Sequence, residues 1–90
     1  MNTYLVSYDL RKPGKDYAPL HAFLKKYSAY AKPLESLWFV KSPLTAEGVR
    51  NEIMTQIDSN DRLFVVNVTK AGAAWTGVDN ANSNWIKANM

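Results

Sequence analysis

One carboxylate and the cations after it carry the most readable chemistry in this 90-residue chain. Asp9 closes an apolar, strand-forming run from Thr3 to Leu10, and Arg11, Lys12 and Lys15 follow directly. A carboxylate on a rigid strand end can hold a hard cation such as magnesium, with manganese as a substitute, because these ions take oxygen ligands. Magnesium usually rests on one or two carboxylates, waters and substrate phosphates. A single Asp9 per chain therefore calls for a second copy across a two-fold axis. Arg11, Lys12 and Lys15 suit phosphates, and their neutralisation of phosphate charge makes binding salt-dependent. Two plainer readings compete: Asp9 hydrogen-bonds the following turn, and the cations form an ordinary solvated loop.

Other polar and aromatic residues divide the same way. Ser36 can contact a phosphate or orient a water, or be a simple strand serine. No His or Lys stands at a triad spacing from it, so it is not read as a nucleophile. Trp38, Trp75 and Trp85 can stack on bases or fill the core and a dimer seam. His21, beside Leu20, reads as a packing or surface residue rather than a base. There is no Cys, which rules out disulfides and thiolate metal sites, and one His cannot build a His-rich zinc site. A net charge of +3 permits a polyanionic partner without demanding one. The pattern holds neither a signal sequence nor an apolar run of membrane-spanning length, so a cytoplasmic location is expected.

The elements that position these groups follow from periodicity. In the first strand Tyr4, Val6 and Tyr8 share one face, and Leu5, Ser7 and Asp9 share the other. Lys12-Pro-Gly-Lys15 reads as a turn. Asp16 then caps a helix from Tyr17 to about Tyr27, with Leu20, Phe23, Leu24 and Tyr27 on its apolar stripe. Residues 28–33 connect, with room for a short strand before Pro33. Leu34 to Lys41 is a second extended segment. Thr45 caps a second helix, with Ala46, Val49, Ile53 and Ile57 inward, ending near Asp58. Arg62 to Thr69 is apolar on both faces and reads as a central strand. Ala73 to Val78 is expected as a short edge strand, Asp79 to Ser83 as a loop, and Asn84 to Met90 as a last helical turn.

That order predicts one α+β domain over 1–90 with a ferredoxin-like βαββαβ plan. Two helices cover one face of an antiparallel sheet, and a small C-terminal strand is added. Residues 71–90 form a C-terminal extension placed for a dimer contact. The uncovered, apolar sheet face invites a second copy.

With the elements in place, three short stretches resemble a known group. Ser7-Tyr8-Asp9-Leu10 ends the first strand, Glu35-Ser36-Leu37-Trp38 lies in the second extended segment, and Asp61-Arg62-Leu63-Phe64-Val65 opens the last strand. Together they resemble the small CRISPR-associated adaptation nucleases, here called the Cas-two family, and their toxin relatives, the VapD-type RNA interferases. The likeness spans most of residues 3 to 70. It implies a ferredoxin-like homodimer and a metal-dependent endonuclease or endoribonuclease, with Asp9 as the metal-binding catalytic acid. Leu34 stands where the family usually has Gln, and Trp38 takes its aromatic place. Members without a clear cleavage role exist in the family. The alternative is therefore a non-catalytic dimeric module that binds nucleic acid or a protein partner.

Overall fold

Alternation along the first strand decides the layering. In β1 (Asn2–Asp9), Tyr4, Val6 and Tyr8 are buried while Asp9 reaches solvent. The computed structural model describes residues 1–12, 14 and 16–90. The chain continues through α1 (Ala18–Leu24), β2 (Tyr30–Leu34), β3 (Leu37–Ser42), α2 (Ala46–Met54), β4 (Arg62–Asn67) and α3 (Asn80–Asn89). The strands make one antiparallel four-stranded sheet in the order β2-β3-β1-β4, giving a small α+β fold.

The core is the contact between one sheet face and two amphipathic helices. Leu20 and Leu24 of α1 and Val49 and Ile53 of α2 join Tyr4, Val6, Tyr8, Trp38 and Val40 in one buried cluster. Each fully buried aliphatic side chain here contributes about 1.5–3 kcal/mol. The α2 start is as expected: Thr45 accepts a hydrogen bond from the Gly48 amide at 3.0 Å. At α1 the N-cap position is Tyr17, and the Asp16 carboxylate accepts from the Ala18 amide at 2.9 Å. Both helices are shorter than their apolar stripes suggest. Tyr27 and Ile57 lie beyond the helix ends yet still pack on the core from irregular backbone.

Three expectations are corrected. The second extended segment is a hairpin, in which Glu35 and Ser36 form the turn between β2 and β3. Ser36 is therefore a turn residue and not a strand serine. β4 lies at a sheet edge rather than in the centre, and Phe64 is 66% exposed. Its apolar character on both faces reflects an uncovered surface rather than a second layer. Residues 73–78 form no strand; the chain instead runs into α3, whose N-cap Asp79 accepts from the Asn82 amide at 2.8 Å.

α3 lies on the sheet face away from α1 and α2. Trp85 stacks on Phe39 with ring centroids 6.3 Å apart, and the Lys32 amide donates to Asn82 Oδ1. Ile86 and Trp75 help line an apolar groove there against Leu5, Leu37 and Phe39. The second face is thus half covered, which leaves a strip with Ser7, Asp9, Phe64 and Val66 at the β1–β4 side. Among the described residues, no helix is long and apolar enough to cross a membrane.

Candidate functional site

The end of β1 is where the sequence places its chemistry, and two acids meet there in different surroundings. Asp9 pairs in register with Arg62 across β1 and β4. Its side chain is 63% exposed, and the Arg11 guanidinium stands 4.0 Å from its carboxylate. So open an ion pair is worth about 0–1 kcal/mol and leaves the oxygens accessible.

Asp61, one residue before β4, is engaged on several sides. Its carboxylate accepts from the Arg11 amide at 2.6 Å and from the Asp58 amide at 2.8 Å. The Tyr17 hydroxyl donates to it as well, 2.7–2.8 Å from its two oxygens. One side chain thereby ties the exit of β1, the entry to α1 and the turn before β4. The burial of Tyr17, then its hydrogen bond to Asp61, pushes the phenol above its ordinary value of 10. The sequence reading gave Asp61 no role. Asp61 heads one of the three resembling stretches, but an acid in the short connection between a helix and a strand says nothing of the amides it meets.

The predicted phosphate contacts separate in space. Arg11 stays beside Asp9. Lys12 pairs with Asp58 at 3.3 Å, so its charge belongs to the Asp61 knot as well. Lys15 lies outside the described residues, as does Pro13 of the expected turn. Gly14 between them has φ +77°, the positive value that the turn assignment asked of a glycine. Ser36 sits across from Asp9, and its carbonyl accepts from the Tyr8 amide at 3.3 Å.

Asp9 stands on a ridge between two shallow grooves. One holds Ser7, Arg62 and Phe64 and lies on the half-open sheet face. The other holds His21, Lys32, Glu35 and Ser36 and runs beside α1. In the second groove His21 packs, one of the two places that its sequence position allows. Its ring stacks on Trp38 at 6.0 Å, and its Nε2 is 3.4 Å from the Tyr8 hydroxyl. Desolvation, then the charges of Lys32 and Lys25, hold the imidazole pKa below 6.5. Trp38, 1% exposed, donates its indole N–H to the same Tyr8 hydroxyl at 3.0 Å. Trp38 is thus core, as one of its two readings held.

A magnesium ion needs oxygen donors with free lone pairs. Asp9 fits that requirement as one ligand. Among the described residues, no three His, Cys, Asp or Glu side chains cluster as a metal-holding group.

The fold and site define a small α+β domain with an exposed strand-end acid flanked by arginines. No family model matches the chain, and no solved structure matches it at a significant level.

Proposed function

We propose that the chain is a homodimeric, magnesium-dependent nuclease of the cytoplasm, acting on RNA or DNA phosphodiesters and resembling the Cas-two family. The observation that carries this reading is the state of Asp9. It is the acid at the end of β1 that is left exposed, with Arg11 and Arg62 beside it, while neighbouring Asp61 is engaged in hydrogen bonds. The strand order and two helices in the core cluster fit a ferredoxin-like scaffold.

Dimerisation through the uncovered β1–β4 strip supplies what one chain lacks. Phe64 and Val66 offer apolar surface there, and β4 keeps a free edge. Asp9 and Arg62 lie side by side with opposite charges, which suits a two-fold contact. A second Asp9 then approaches the first, and a shared cation offsets their repulsion. The two Asp9 carboxylates would hold magnesium, which would supply polarisation of the phosphodiester and of an attacking water. Arg11 and Arg62 offset charge on the phosphate, and Ser36 offers a hydroxyl across the groove.

The test incubates labelled RNA and DNA strands with the protein, with magnesium or with chelator. Cleavage is expected with magnesium alone and is lost in Asp9→Asn, while sedimentation of both proteins reports dimers. Undiminished cleavage by Asp9→Asn places the chemistry elsewhere. The second reading, a non-catalytic dimeric module for nucleic acid or a protein partner, is favoured by the absence of a metal-holding cluster among the described residues. It is distinguished by salt-sensitive binding without turnover.

A further inference from the structure

One buried indole fixes three surface side chains of the kinds that read nucleic acid. Trp38 is held by its hydrogen bond to Tyr8. His21 stacks on its ring, the Lys32 ammonium stands 5.5 Å from the ring centroid, and the Tyr30 ring lies 6.0 Å away, tilted by 44°. A cation over an aromatic ring and a stacked imidazole lose little further freedom on meeting a ligand. Tyr30 is 40% exposed at the sheet edge, with part of its ring available. The groove that begins at Asp9 leads past His21 to Lys32.

We propose that this groove is a track for single-stranded nucleic acid, in which Lys32 contacts a phosphate, His21 borders it and Tyr30 stacks on a base. Sequence-tolerant strand binding uses cations for the backbone and aromatic rings for the bases, and Lys32 in the groove with Tyr30 beside it supply one of each. Lys25 at the C-cap of α1 and Lys32 on β2 both lower the His21 pKa, after desolvation. Glu35 and Asp9 line the same groove with the opposite charge, and Arg11 offsets Asp9. A free-standing duplex does not fit this mode, because its bases are stacked on each other. The track deepens the nuclease reading by giving the strand a path away from Asp9, but it requires only binding.

Desolvation is the main cause of the lowered His21 pKa, and a phosphate beside Lys32 offsets the smaller part that the Lys32 charge contributes. Binding then raises the affinity of His21 for a proton and tightens as pH falls toward the ordinary imidazole range.

The experiment follows a fluorescent oligouridine strand by anisotropy in chelator, so that no metal-dependent cleavage occurs. Lys32→Gln is expected to weaken binding severalfold and to lower the salt slope by about one. Tyr30→Ala is expected to weaken it about fivefold or more. Lys87→Gln, the same charge loss on α3 behind the sheet, is expected to change little. The His21 imidazole resonances are expected to shift with the wild-type protein toward the protonated form. Equal losses in Lys32→Gln and Lys87→Gln, preference for duplex over single strand, or no binding at low salt each overturns the track. Binding that depends on Lys32 and Tyr30 without any cleavage in magnesium keeps the track and removes the nuclease. Cleavage that depends on Asp9 but not on Lys32 or Tyr30 does the reverse.

Discussion

Asp9 and Asp61 stand at the ends of the same strand pair and have opposite fates. Asp61 accepts two backbone amides and a phenol, and it closes a knot of three chain segments. Asp9 meets one guanidinium at 4.0 Å and is otherwise turned to solvent. A carboxylate that satisfies several donors from distant segments is committed to folding, because removing it leaves part-buried donors to find water, at a cost of about 1–3 kcal/mol in all. A carboxylate that holds nothing in place can exchange water for a cation or a substrate without disturbing the fold. The difference separates a structural acid from a candidate functional one without any appeal to relatives.

The largest effect expected from this contrast is in Asp61→Ala. Loss of the acceptor for the exposed Arg11 amide and the part-buried Asp58 amide destabilises the domain by about 1–3 kcal/mol. The urea midpoint should fall with little change in slope, and a loss below about 1 kcal/mol breaks the comparison.

A smaller effect is expected in alkali. The Tyr17 phenol is raised above 10 in the folded chain. A group raised on folding contributes stability that is whole below its unfolded pKa and is lost as pH rises through its folded pKa. The knot should therefore loosen above about pH 10, seen as an alkaline fall in the thermal midpoint. Tyr17→Phe should lower stability at neutral pH and remove its share of the alkaline fall. An unchanged alkaline profile in that variant assigns the effect to another tyrosine.

The smallest effect is expected in Asp9→Ala. Its exposed ion pair is worth little, so the urea midpoint should match wild type within about 0.5 kcal/mol. A loss comparable to that of Asp61→Ala would make Asp9 a second structural acid and leave the nuclease proposal without its central residue.

How legible all this was depends on the range of the force involved. The faces of β1 and the start of α2 were readable, because side-chain alternation and the Thr45 cap act within a few residues. α3 was read too short and partly as loop, since Asn80-Ala-Asn-Ser-Asn84 is a poor helix former taken alone. Its Asp79 cap and the seating of Trp85 on Phe39 supply what propensity does not. β4 was read as central because Phe64 and Val66 look the same in sequence whether covered or bare.

By itself the sequence determined the alternation of strands, the two inward helical stripes and the place of Asp9 at a strand end. These depend on covalent spacing and local caps. Only the tertiary structure decided that Asp61 is tied while Asp9 is open, and that His21, Lys32 and Tyr30 gather around Trp38. Both results come from segments distant in the chain. Their meeting is set by how the sheet and helices pack, and no local pattern encodes it.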